Sequence, residues 1–182
     1  MSKFFVTSDQ HFNHKNIIKY CDRPFSSVEE MNEELIKRWN AVVSKDDTVF
    51  VLGDFFMGRL TEIEDILSRL NGHIMLVEGN HDNDSRIVTM TSYGNVKNLG
   101  PLFIMDYRGI NIVMCHYPID FDLRNMVSKA SKKMVFLYGH IHNLAPKGLD
   151  RGCFYHVGVD TNDFTPIDLD SIIEEGENYE GF

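Results

Sequence analysis

The sequence predicts an α/β domain. Two observations carry that expectation: short β-branched or aromatic runs alternate with amphipathic stretches, and small polar clusters of His and Asp follow those runs. The strand candidates are Lys3–Ser8, Thr48–Leu52, His73–Val77, Leu102–Tyr107, Ile110–Cys115, Met134–Tyr138 and Cys153–Val157. Arg108-Gly109 separates two of them as a tight hairpin turn. The clearest helix covers Ser27 to Val43. Ser26 and Ser27 each have a Glu three residues on, the capping-box spacing. Val28, Met31, Leu35, Trp39 and Val42 then recur on one face. Thr61 and Glu64 repeat the capping pattern before Ile63, Ile66, Leu67 and Leu70. A further helix is expected over Leu123 to Lys132, and a short one near Asp170.

Composition narrows the classes. The 182 residues hold 43% hydrophobic and 25% charged side chains, ordinary for a globular chain. They contain no repeat, low-complexity stretch or Gly/Ser/Pro-rich linker, so residues 1–182 read as one domain. No apolar run reaches the roughly 18–20 residues of a membrane helix. Met1 to Val6 has three apolar residues where a signal peptide wants about 7–15. The expectation is a cytoplasmic protein without membrane association. Cys21, Cys115 and Cys153 are too few and too scattered for a disulfide framework or zinc finger, and Cys115 reads as core.

The net charge is −9, but Asp168 to Phe182 alone hold six acids and no Lys or Arg. The other 167 residues carry −3. This acidic segment, about 168–182, reads as a solvated tail. No basic stripe exists, so tight binding to duplex nucleic acid is not expected. A single-strand nuclease would need a positive track beside its stacking aromatics, which is equally absent.

The polar clusters define the chemistry. Asp9-Gln10-His11 follows the first strand, Gly53-Asp54 the second, and Gly79-Asn80-His81-Asp82 the third. His116 follows Ile110–Cys115, and Gly139-His140-Ile141-His142 follows Met134–Tyr138. Ligands in such sheets collect beyond the carboxyl ends of the strands. Imidazole, carboxylate and amide oxygen suit Mn, Ni, Fe, Co or Zn. The glycines before Asp54, Asn80 and His140 allow a tight turn that aims a ligand off a strand end. Isolated histidines such as His73 and His156 read as structural. Met31, Leu35 and Trp39 read as core.

In order and spacing, Asp9-x-His11, Gly53-Asp54, Gly79-Asn80-His81-Asp82, His116 and Gly139-His140-x-His142 resemble the calcineurin-like metallophosphoesterase superfamily, in particular its small bacterial and phage members. The resemblance implies a four-layer α/β/β/α sandwich with a dinuclear metal centre at the carboxyl ends of the strands. It assigns Asp9, His11, Asp54 and His142 to one divalent ion, and Asp54, Asn80, His116 and His140 to the other, with Asp54 shared. His81 becomes a non-ligand that contacts the scissile phosphate and assists the leaving group.

Two ions roughly 3.5–4 Å apart share and activate a hydroxide for in-line attack. With two carboxylates and that hydroxide, the centre keeps about +1, enough to attract a phosphate ester to an acidic protein. Asp82 is a candidate to orient His81 and equally a turn residue. His14, Arg23 and Arg59 are possible substrate contacts. The sequence departs from protein phosphatases: Phe55-Phe56-Met57-Gly58-Arg59 follows Gly53-Asp54, without the Asp-Arg-Gly that marks them. Tyr117-Pro118 after His116 reshapes the mouth of the site. The expected activity is hydrolysis of a small phosphodiester, nucleotide-type, with catalytic His81 and Asp54. The alternatives are a phosphomonoesterase acting on a nucleotide or small metabolite, and a non-catalytic metal-bound binding module.

Overall fold

A computed structural model describes residues 2–118, 133–145, 149–150 and 153–177. The chain runs β1 (Phe4–Thr7), α1 (Ile17–Tyr20), α2 (Val28–Val42), β2 (Thr48–Leu52), α3 (Ile63–Arg69), β3 (His73–Val77) and α4 (Asp84–Thr91). It continues through β4 (Val96–Asn98), β5 (Leu102–Tyr107), β6 (Ile110–Cys115), β7 (Met134–Tyr138), β8 (Leu149–Asp150), β9 (Phe154–His156), β10 (Ile167–Asp168) and α5 (Leu169–Glu177).

Two five-stranded sheets result. The first has the order β10-β1-β2-β3-β4, the second β5-β6-β7-β9-β8. Strands β1 to β4 are parallel, as are β6, β7 and β9, while β5, β8 and β10 pair antiparallel at the edges. Between the sheets, Val6, Phe50, Leu52 and Val77 pack with Ile112, Met114, Val135, Leu137 and Val157. On the other face of the first sheet, Phe5, Val49, Val51, Ile74 and Leu76 receive the apolar faces of α2, α3 and α4. Val113, Phe136, Tyr138 and Phe154 form a cluster on the second sheet's far face. The helix expected over Leu123 to Lys132 lies outside the described residues.

Local chemistry sets the elements. Ser27 caps α2 by accepting the Glu30 N–H, and Glu30 in turn accepts from Ser26. Met31, Leu35 and Trp39 are buried as expected. Val42 is 39% exposed, and the buried stripe runs instead through Asn32, Ile36 and, at the helix end, Val43. Thr61 does not cap α3: a 3₁₀ turn, Leu60–Glu62, precedes it, with Arg59 and Glu62 closing the capping interactions. Arg108 (φ 53°) and Gly109 (φ 79°) both adopt left-handed backbone, the two-residue turn that matches strand twist between β5 and β6.

Two expectations are corrected. The acidic segment is not a free tail as far as Glu177: β10 pairs with β1, and Leu169, Ile172 and Ile173 of α5 are buried. Apolar spacing places them inward while the carboxylates face out. Cys115 is only partly buried, at the end of its strand, and all three cysteines are free. Among the described residues, no helix is long and apolar enough to cross a membrane.

The sheets are joined where it matters for the site. Just past the end of β1, Ser8 donates to the Val157 carbonyl and accepts from the Val159 N–H, each at 3.1 Å. The carboxyl ends of β1, β2 and β3 thereby meet those of β6, β7 and β9.

Candidate metal centre

Every expected ligand lies at that junction. Asp9 and His11 leave β1, Asp54 leaves β2, and Asn80 and His81 leave β3. His116 follows β6, and His140 and His142 follow β7. Main-chain bonds lock the loops together: Asp9 N–H to the Gly53 carbonyl (3.1 Å), His11 N–H to the Asp54 carbonyl (3.0 Å) and Gly139 N–H to the His116 carbonyl (2.9 Å).

The backbone at these positions is strained. Asp9, His11, Asp54, His140 and His142 all have positive φ, between 47° and 71°. Non-glycine residues seldom adopt this conformation, and it persists only where surrounding contacts over-determine it. Of the three glycines expected to supply turns, only Gly53 has positive φ (81°). Gly79 and Gly139 are required by space. A Cβ on Gly79 would lie 2.5 Å from Asp54 Oδ1, and one on Gly139 2.5 Å from Asp9 Oδ2.

Asp54 is the hub. It is buried, and its Oδ2 lies 3.5 Å from His116 Nε2, 3.6 Å from His11 Nε2 and 3.9 Å from His81 Nε2. Its Oδ1 accepts the His81 N–H at 2.9 Å. Asp9 accepts the His140 N–H at 3.0 Å and the Ser8 hydroxyl. Burial raises the Asp9 pKa above the usual carboxylate range, opposed by His142 and His116. Nδ1 of His116 pairs with the Leu52 carbonyl at 2.7 Å, which makes it the protonated nitrogen and turns the Nε2 lone pair toward Asp54 and Asn80 Oδ1 (3.0 Å). Burial, reinforced by Arg23 and neighbouring imidazoles, depresses His11 far below the ordinary histidine range. Burial also lowers His14 and His140. These rings are therefore neutral and available as ligands.

The residues fit divalent ions. His11 Nε2 is buried and has no hydrogen-bond partner in the protein, a costly arrangement unless a ligand completes it. Asp9, His11 and His142 form one group whose donor atoms lie within 4.8 Å of each other, and Asp9, Asp54 and His116 form another. Their imidazole nitrogens and carboxylate oxygens match the hard-to-borderline ions expected from the sequence.

The remaining candidates separate. His81 stands at the mouth, its side chain 41% exposed. His14 lies beside His11, with Nδ1 atoms 3.2 Å apart, and lines the same cavity. Arg23 is not placed to meet a substrate: it is buried, and its guanidinium bonds Asp160 and the Asp9 and Gln10 carbonyls. Arg59 is exposed and paired with Glu62, and is not among the cavity-lining residues. Asp82 does not orient the His81 ring. It is buried and accepts the Gly79 and Asp54 N–H groups at 2.9 and 2.8 Å, tying the β2 and β3 loops together.

One contributor was not singled out in the sequence. Asp160 accepts from His142 Nδ1 at 2.7 Å. Burial opposes the charge on His142, but the Asp160 bond, with Cys21 and Asp9 nearby, raises its pKa to about 10 in the metal-free protein. The available signal was position, since Asp160 follows β9 as the ligands follow their strands. Tyr20 is 72% exposed at the cavity rim, a feature with no local sequence signature.

The cavity measures about 570 Å³. Its lining combines five imidazoles, His11, His14, His81, His140 and His142, with Ile17, Tyr20, Met57, Ile141 and Leu144.

Residues 3–158 match the calcineurin-like phosphoesterase superfamily domain. An uncharacterised protein of Methanocaldococcus jannaschii is 34% identical over 184 aligned positions, covering 96% of this chain and 91% of that one. A protein of unknown function from Aquifex aeolicus has a similar structure, with a TM-score of 0.74 at 24% identity over 96% of this chain and 99% of its own. An archaeal phosphodiesterase shares the fold at a TM-score of 0.51 and 19% identity, over 86% of this chain and 83% of its own.

Proposed function

The chain belongs to the calcineurin-like phosphoesterase superfamily, and from that premise we propose that it is a two-metal hydrolase of small phosphodiesters, nucleotide-type, acting in the cytoplasm. The observation that carries this reading is the convergence of the His11 and His116 Nε2 atoms on one buried carboxylate oxygen, Asp54 Oδ2. Asp9, His11, Asp54 and His142 would hold one ion, and Asp54, Asn80, His116 and His140 the other. When bound, the ions would activate water and draw charge from the phosphoryl oxygens.

The protein's own groups supply the rest. Asp54 Oδ2 faces His11 of the first set and His116 of the second. The His81 N–H bond to Asp54 holds its ring at the mouth, where Nε2 can donate a hydrogen bond or proton to the departing oxygen. His14 lines the approach. The apolar lining residues Ile17, Tyr20, Met57, Ile141 and Leu144 suit the organic part of an ester, and Tyr20 offers an exposed ring for a base.

The preference for a diester follows from charge. Among the described residues, no Lys or Arg lines the cavity. Arg23 is committed to Asp160, and Arg59 to Glu62. A singly charged diester needs no further cation beyond the metal centre, whereas a dianionic monoester would gain from one.

The test is turnover of bis-p-nitrophenyl phosphate and p-nitrophenyl phosphate by metal-stripped protein reloaded separately with Mn²⁺, Ni²⁺, Co²⁺, Zn²⁺ or Mg²⁺. Metal-dependent hydrolysis with the diester preferred is expected. Preference for the monoester would reassign the reaction class, and bound metal without turnover of either ester would favour a binding module.

A further inference from the structure

We infer that Asp160 and Arg23 form a positioning pair that sets the ligand group of Asp9 and His142, leaving the group of Asn80 and His116 largely independent of it. The inference rests on the metal reading above and assigns a role to two residues outside the ligand set.

Arg23 sits just beyond α1 with its side chain fully buried. Its five N–H donors all have acceptors. Nε and one Nη2 hydrogen grip the two Asp160 oxygens at 2.7 and 3.0 Å, the bidentate fork that favours Arg over Lys. The other Nη2 hydrogen bonds the Asp9 carbonyl at 2.7 Å. Nη1 bonds the Gln10 carbonyl at 2.9 Å and approaches Met31 Sδ at 3.4 Å.

Asp160 has a second task. Its Oδ2 also accepts from His142 Nδ1. This fixes the ring's orientation and leaves Nε2 as the atom that would bind a metal once its proton is displaced, and a carboxylate behind a ligating histidine raises its donor strength. The same ion pair therefore controls the main chain at Asp9 and the ring at His142. Both residues have positive φ, 60° and 47°. Each needs neighbours to keep it there.

His116 is supported differently, through the Leu52 carbonyl. Asn80 lies on the β3 loop, which Asp82 ties to β2. Neither support involves Arg23 or Asp160. Cys21, His142 and Asp160 also bring donor atoms within 4.8 Å, but both Asp160 oxygens are already occupied by Arg23 and His142. That group reads as part of the support, with no separate ion.

The experiment is a Mn²⁺ titration of metal-stripped protein by calorimetry, together with the visible absorption of the Co²⁺-loaded form. It compares wild type, Asp160→Asn and the charge-balanced Arg23→Gln/Asp160→Asn. Thermal melts of the metal-free proteins establish folding, and if Asp160→Asn does not fold, the double variant decides.

Wild type should bind two ions. In the variants one site should weaken roughly 10–100-fold, the usual worth of an outer hydrogen-bond partner, while the other changes less than about threefold. The Co²⁺ bands should change for one ion of the two. Two unchanged affinities, or equal weakening of both sites, would overturn the inference. Wild type binding no Mn²⁺ or Co²⁺ would overturn the metal reading itself and this inference with it.

Discussion

Oδ2 of Asp54 stands 3.5 Å from Nε2 of His116, both atoms buried and with no proton shared between them on the tautomer that the Leu52 carbonyl selects. Two acceptors facing each other repel unless a cation lies between them. Metal bonds of about 2.0–2.2 Å to each place two ligands of one ion at this separation. Because the same oxygen also faces His11, Asp54→Asn should weaken both ions. The loss should be at least about 100-fold for each, since even an outer partner is worth 10–100-fold. Calorimetric titration with Mn²⁺ measures it, and two tightly bound ions with full turnover would refute a shared role for Asp54.

His81 differs from the ligands in exposure and in attachment. Its main-chain N–H bonds Asp54 Oδ1, and its ring is 41% exposed at the mouth with Nε2 3.9 Å from Asp54 Oδ2. His81→Ala should keep both metals and reduce turnover of bis-p-nitrophenyl phosphate by about 10²–10⁴, the range for a positioned acid or base. Loss of an ion on this substitution would show that His81 is a ligand.

Five expected strands have the observed boundaries, and the ligands follow strand ends because apolar runs stop where polar clusters begin. Short elements were not legible. β4, β8 and β10 have two or three residues each, too few for periodicity, and are stabilised by a neighbouring strand. α4 is headed by Asn83, which accepts the Arg86 N–H, but only Met90 of its residues is buried, so its apolar stripe is faint.

The site divides in the same way. Residue types and spacing singled out the candidates from Asp9 to His142, which the fold gathers at one junction, whereas Arg23 read as a possible substrate contact. Its true partner, Asp160, lies 137 residues away. Such pairing is a product of the tertiary fold and leaves no local pattern.

Gly139 offers a test of how tightly the centre is packed. A Cβ there would lie 2.5 Å from Asp9 Oδ2 and closer still to the Ser8 hydroxyl. Both neighbours are buried, so neither can swing away freely. Gly139→Ala should destabilise the metal-free protein by about 1–3 kcal/mol, as overpacking does. It should also weaken the ion held by Asp9. Urea unfolding and Mn²⁺ titration provide the two readings, and an alanine variant unchanged in both would mean that Asp9 has room to move.

His156 gives a pH-dependence with a definite sign. It is buried behind the centre, with Nδ1 2.8 Å from Thr161 Oγ1 and Nε2 without a hydrogen-bond partner. Burial lowers its pKa from 6.5 to about 4, with Asp160 opposing the shift. Between these values the unfolded chain binds the proton and the folded one does not. This stability is therefore complete above about pH 6.5 and is lost as pH falls toward 4. In EDTA, wild type should lose about 1–2 kcal/mol more than His156→Phe on going from pH 7 to pH 5. Comparing the two proteins cancels the ligand histidines, which titrate in both. Urea midpoints at the two pH values measure the difference. Equal losses would mean that His156 accepts its proton inside the fold as readily as in water.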